Sequence, residues 1–255
     1  MAYLTPDKIY TLSTPSGVRF KVNQKLIPDT AVATKYVASW CQEGWPMKPC
    51  CKLGVNNSGT PLGITIHNTS KLNSKISDDD AEVYTLATYP NCNMGGVVVH
   101  FYVYKSSIWQ NLSVTEQGWH ASDGSGRYVK THNGTKYIGG NIDTIAIEVV
   151  GNDKETEDTA AKLCANLCKR FGFTPSKDIY THNYFNHRQG DKIIQGAAKN
   201  CPYYILPHWN DFLKSVESYM APPSYIVTGT KTVKSDKLNE TKGMLIANGF
   251  SVSVK

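Results

Sequence analysis

An α/β domain followed by a small strand-helix-strand appendage is predicted from three observations. Short apolar runs of strand length, LGITIH at 62–67, VVVHFYVY at 97–104 and NIDTIAIEVV at 141–150, alternate with segments of helical period. Ala221, Pro222 and Pro223 then interrupt the pattern, as linkers do. The roughly thirty residues beyond cannot bury a core alone. The expected organisation is a main domain over 1–219, a linker at 220–224 and a C-terminal module at 225–255 that docks, binds a partner or self-associates.

The 255 residues are 40% hydrophobic and 19% charged, a balance that supports one large buried core. A net charge of +6 favours an anionic partner: nucleic acid, a membrane surface or a bacterial wall polymer. No basic block interleaved with aromatics occurs, which argues against nucleic acid. No run of about eighteen apolar residues occurs either, so membrane insertion is not expected. The opening MAYLTPDKIYTLSTPSG lacks the apolar middle of a secretory signal and predicts synthesis in the cytosol. Seven cysteines, an odd number, do not suggest a disulfide framework.

Taken in order, residues 1–58 read as irregular, with a short helix over 30–42. The adjacent Cys50 and Cys51 fit a surface loop better than a metal site, since neighbours cannot easily ligate one ion. The run at 62–67 reads as a buried strand delivering His67 at its end. Ser77 is expected to cap a helix reaching Tyr89, with Asp78, Asp79 and Asp80 favoured by the helix dipole in its first turn. Residues 97–104 and SIWQNL, 107–112, predict a hairpin, with His100 a satisfied core histidine. GWHAS, 118–122, puts His120 beside an aromatic in a long glycine-rich loop suited to lining a groove.

Residues 141–150 predict a strand whose one late carboxylate, Glu148, faces either water or a site. Residues 154–171 carry Ala160, Leu163, Cys164, Leu167 and Phe171 at helical spacing, and Gly172 can end that helix. DIYTHNYF supplies His182, and the stretch ending KNCP supplies Lys199 and Cys201. A further helix is predicted over 209–220, and another over 235–248 between the two short strands of the tail.

His67, His182 and Cys201 make an N,N,S donor set that suits zinc with its fourth position open. Zinc there makes hydroxide available near neutral pH for attack on a carbonyl. Such an attack needs a base and an oxyanion-stabilising cation, roles that Glu148 and Lys199 could fill.

GITIHNT, GWHAS, NIDTIAIE, YTHN and KNCP occur in an order that resembles the zinc-dependent N-acetylmuramoyl-L-alanine amidases of the phage endolysin and peptidoglycan-recognition superfamily. THNYF and CPYYILPHW are similar to endolysins of phages or prophages of clostridia-like bacteria. The resemblance spans about residues 22–219. It implies a mixed, mostly parallel central sheet flanked by helices, with zinc at a groove floor. It implies His67, His182 and Cys201 as ligands, Glu148 as base, Lys199 as catalytic lysine, and peptidoglycan as the partner that is cut. His120 and Asn141 are candidates for the substrate-binding wall. Val99 departs from members that carry a catalytic tyrosine there, and the long stretch before Cys201 leaves His187 a rival ligand. A lysin of this kind collects in the host cytoplasm until a separate membrane pore releases it to the wall. The rivals are a non-catalytic peptidoglycan-binding protein, which tends to lack the cysteine, a cysteine-type wall peptidase, whose nucleophile would sit at a helix N-terminus, and a wall-anchoring protein whose tail does the work.

Overall fold

The computed structural model describes residues 4–36, 41–69, 79–123, 125–127, 129–130, 137–186, 188–189, 192–193, 200–222, 235–247 and 252. The chain forms two compact units, Met1–Pro223 and Ser224–Lys255. Strands β1 (Lys8–Ser13) and β2 (Arg19–Gln24) open the first unit, followed by β3 (Gly63–Thr69), α1 (Asp80–Thr88), β4 (Phe101–Tyr104) and β5 (Ser107–Gln110). A two-stranded ribbon of β6 (Val129–Lys130) and β7 (Tyr137–Ile138) precedes the single turn α2 (Gly140–Asp143), β8 (Thr144–Val150) and α3 (Lys154–Phe171). Then come α4 (Pro175–Asp178), β9 (Ile179–Thr181), α5 (His182–Asn186), a second ribbon of β10 (Arg188–Gln189) and β11 (Lys192–Ile193), and α6 (Trp209–Met220). The second unit contains α7 (Leu238–Ala247). Most of its two predicted strands lies outside the described residues.

Seven strands make one sheet in the order β1-β2-β5-β4-β8-β3-β9. The pairs β2–β5, β4–β8, β8–β3 and β3–β9 are parallel, while β1–β2 and β4–β5 are antiparallel. The sheet is therefore mixed and mostly parallel, as expected. Alternation along each strand divides its faces. Ile64, Ile66, Phe101, Val103, Ile145, Ile147 and Val149 pack with Leu163, Cys164 and Leu167 of α3 and with Phe212 and Val216 of α6. The opposite face carries Tyr102, Ala146 and Val150 against Ala81 and Tyr84 of α1, and the same alternation gives it His67 and Glu148.

Helix ends follow local chemistry. Asp153 caps α3 by accepting from Thr156 N, and Gly172 ends it in the left-handed region at φ 72°. Asp79 caps α1 by accepting from Glu82 N. It also accepts from Ser107 Oγ and from Trp109 Nε1, which ties the cap to β5. The cap is thus Asp79 and not the predicted Ser77, which lies outside the described residues, and Asp79 precedes the first turn instead of standing in it.

Three expectations are corrected. The N-terminal segment is not wholly irregular, because β1 and β2 form a hairpin that extends the sheet. Both strands are mostly exposed or half-buried, which blurs their apolar alternation, although Thr14-Pro15-Ser16-Gly17 is a turn signal. The described part of the proposed 30–42 helix is not helical: Val32 bridges Pro46, and Ala33 and Trp45 are paired through the backbone. The third correction concerns the run at 97–104, whose strand begins at Phe101, with His100 N already donating to Ala146 O of β8. Gly95 and Gly96, at φ 62° and 79°, turn the preceding residues aside, and Val98 N donates to Trp119 O instead. That turn places Val97 and Val99 on the wall of a groove.

Strand β3, between β8 and β9, has no space at its first residue. A Cβ on Gly63 would lie 2.6 Å from the Asp178 carbonyl oxygen and 2.6 Å from the Tyr180 ring. Gly63→Ala is expected to destabilise the fold by about 1–3 kcal/mol, as overpacking does, read as a lower denaturant midpoint. An unchanged midpoint would show that β9 yields freely.

Candidate functional site

The β3–β8 register sets His67 opposite Glu148, and the β4–β8 register sets Tyr102 opposite the same residue. Partners in a parallel pair share a face, so His67 and Glu148 both stand on the side away from α3. β9 lies on the other flank of β3 with Thr181 opposite Ile66, and His182 follows at once as the first residue of α5. Thr181 Oγ1 accepts from Tyr184 N and anchors the start of α5. Cys201 is distant in sequence, but its carbonyl accepts from Asn183 N at 2.7 Å. That bond holds the cysteine to the helix that carries His182.

These tethers bring His67, His182 and Cys201 together. One ligand atom from each lies within 4.8 Å of the others, and all three residues are buried. The Nδ1 atoms of His67 and His182 are 3.0 Å apart. Two nitrogens on a tetrahedral zinc ion, each about 2.0–2.1 Å from it, stand about 3.3 Å from one another. Donor type and spacing both fit zinc. His187 and Lys199 lie outside the described residues.

A groove of about 400 Å³ opens over this cluster, walled by Val97, Val99, Trp119, His120, Asn141 and Glu148. Glu148 is half-buried and lines it, so water alone is not its environment. The stacked rings of Tyr84 and Tyr102, 5.5 Å apart, lie on the same sheet face. Burial first, and then the negative charge of Glu148 among other causes, raises both phenols above their ordinary range.

His120 Nδ1 lies 3.1 Å from His67 Nε2, with the rings edge to face. Burial, followed by the neighbouring His100 and His182, holds its pKa well below the ordinary value. Asn141 Oδ1 accepts from the backbone amides of His120 and Ala121 at 2.7 and 2.6 Å. Asp123 in turn accepts from Gly140 N and Asn141 N at the start of α2, while burial pushes its carboxyl up to about 6. Val97, Trp119 and Asp123 had not been singled out in the sequence. A Gly-Gly turn and the tryptophan of GWHAS were the signals available.

His100 is a satisfied core residue, as its strand position predicted. Its Nε2 donates to the Glu116 carbonyl at 2.7 Å, and its Nδ1 accepts from Ala146 N at 3.0 Å. It does not line the groove.

The family described as N-acetylmuramoyl-L-alanine amidase matches residues 57–204. Among individual proteins, the N-acetylmuramoyl-L-alanine amidase CwlH of Bacillus subtilis is 30% identical over 167 residues, 64% of this chain and 56% of the relative. XlyA of the same organism, also named an N-acetylmuramoyl-L-alanine amidase, is 28% identical over 209 residues, 79% of this chain and 57% of the relative. The chain thus spans about half the length of these relatives. The solved catalytic domain of XlyA superposes with a TM-score of 0.53 at 24% identity, covering 76% of this chain and 98% of that one. PlyL gives 0.50 at 20% identity, covering 76% and 96%. At these identities the two structures establish the fold.

One pH effect follows from His100. Burial lowers its pKa from 6.5 to about 4, so between those values the unfolded chain binds more protons than the native one. The stability His100 contributes is complete above about pH 6.5 and is lost as pH falls toward 4. At about 1.4 kcal/mol per pH unit, moving from pH 7 to pH 5 removes about 2 kcal/mol. His100→Asn keeps an acceptor for Ala146 N without the titration. Its stability should therefore change with pH by about 2 kcal/mol less over that range in urea unfolding. Equal pH slopes for the two proteins would refute the assignment.

Proposed function

The chain belongs to the N-acetylmuramoyl-L-alanine amidase family, and from that premise we propose that it hydrolyses the amide between N-acetylmuramic acid and L-alanine in bacterial peptidoglycan, as an endolysin or autolysin. The observation that carries this reading is the meeting of His67, His182 and Cys201 within 4.8 Å beneath an open groove that Glu148 also lines.

In this reading His67, His182 and Cys201 hold zinc, with both imidazoles neutral and the cysteine as thiolate. Zinc at these residues would supply Lewis acidity toward the attacking water and the amide carbonyl. Glu148 accepts the proton of the attacking water and returns it to the departing L-alanine nitrogen. Lys199, outside the described residues, stabilises the negative oxygen that develops on the carbonyl. Val97 and Trp119, both partly exposed on the groove, offer apolar surface to the sugar and lactyl group. His120 and Asn141 complete the wall. The second unit, whose α7 exposes Met244 and Ile246, serves as a wall-binding or self-associating module. Among the described residues no helix is long and apolar enough to cross a membrane.

Purified Gram-positive walls, digested with and without a chelator, test the chemistry. New L-alanine amino groups that vanish with chelation support it, whereas new reducing sugar ends or metal-independent activity overturn it. Glu148→Gln is expected to keep zinc and lose turnover by roughly 10²–10⁴, while Cys201→Ser and His182→Ala lose zinc and activity together. Lys199→Ala should lower turnover by roughly 10²–10³ with zinc unchanged.

A further inference from the structure

We infer that His120 is a positioning residue for the metal centre: it accepts the Nε2 proton of His67 and thereby fixes the tautomer in which His67 Nδ1 is the ligand atom. This rests on the proposal that His67, His182 and Cys201 bind zinc, and it gives His120 a task apart from touching substrate.

The argument begins with the contact between the rings. His67 Nε2 and His120 Nδ1 are 3.1 Å apart, a distance that requires one proton between two nitrogens. Either nitrogen can carry it, and the two arrangements differ in their consequence. If His120 Nδ1 donates, neutral His67 must hold its own proton on Nδ1, the atom that faces His182 Nδ1 at 3.0 Å. That atom is then blocked as a ligand. If His67 Nε2 donates, the lone pair on Nδ1 is free to join those of His182 and Cys201.

The geometry of the donor cluster favours the second arrangement. His67 turns Nδ1 toward His182, the other histidine of the donor set, at 3.0 Å, and turns Nε2 toward His120. An ion held by these donors would take the Nδ1 lone pair, so the proton of neutral His67 belongs on Nε2 and His120 Nδ1 must accept it. Neutral His120 then carries its own proton on Nε2. His120 itself is held by its backbone amide on Asn141 Oδ1, and Asn141 by Asp123 at the start of α2. The residue as a whole is 5% exposed. A ligating histidine usually gives its second N–H to a carboxylate, a carbonyl or water. Here a second histidine takes that place.

The test uses the full chain and zinc alone. Competition with a chromophoric chelator should show His120→Leu binding zinc roughly 10–100-fold more weakly than wild type. His120→Asn, whose Oδ1 replaces Nδ1 as acceptor, should stay within about threefold of wild type, in keeping with a role confined to that one hydrogen bond. Imidazole ¹⁵N spectra of zinc-loaded wild-type protein should show His67 protonated on Nε2 and bound through Nδ1. These spectra need no variant and keep the inference open to refutation if His120→Leu does not fold. Wild-type affinity in His120→Leu, or coordination of His67 through Nε2, overturns the inference and leaves the metal site standing. A wild-type chain that takes up no zinc overturns the metal reading and this inference with it.

Discussion

Parallel pairing of β3 with β8 is the constraint on which the site depends. Its register places Ile64 opposite Ile145, Ile66 opposite Ile147 and His67 opposite Glu148. A slip of one residue would turn His67 into the layer beneath α3 and Ile66 into the groove. The fully buried side chains of Ile64, Ile66, Ile145, Ile147 and Val149 each contribute about 1.5–3 kcal/mol, on the order of 10 kcal/mol gross. Misplacing one imidazole in an apolar layer costs only a few kcal/mol. The apolar face therefore sets the register, and the histidine and carboxylate inherit their positions from it. Strand ends are rigid mounts because the core has already fixed them.

The remaining parts of the site depend on polar contacts around α2. Asp123 holds the first amides of that turn, Asn141 holds His120 and Ala121, and Arg127 pairs with buried Asp143 at 2.8 Å. Gly140 stands where these elements meet α5, since a Cβ there would lie 2.2 Å from that of Ala121 and 3.0 Å from the Phe185 ring. The loop carrying His120 and the helix carrying His182 consequently share one packing contact. Buried polar groups are tolerated when they are satisfied, and here the partners are largely backbone amides.

Much of this was legible in the sequence. Apolar β-branched runs located β3 and β8, and the 3.6-residue stripe located α3 from Lys154 to Phe171. His67, His182, Cys201 and Glu148 could be named because the strand ends and the short motifs agreed. The edge hairpin β1–β2 was not legible, because half-exposed strands carry little apolar contrast. The turning aside of Val97 to Val99 was missed for another reason: a β-branched run has the same composition whether it pairs in a sheet or lines a wall. The link between His120 and His67 could not be read at all. It spans 53 positions and is formed in a loop whose backbone at His120 and Ala121 is held by Asn141.

The identity of the base can be argued from what surrounds it. Val99 occupies the groove wall where the resemblance leads one to expect a tyrosine in other members, and it has nothing to ionise. The neighbouring phenols are already engaged, Tyr84 with Thr69 at 3.2 Å and Tyr102 with Thr88 at 2.9 Å. Burial also raises both above their ordinary range, so neither gains charge near neutral pH. Among the described residues that line the groove, Glu148 is the one carboxylate. In the proposed reaction Glu148 is therefore the carboxylate on the groove wall that accepts a proton from water.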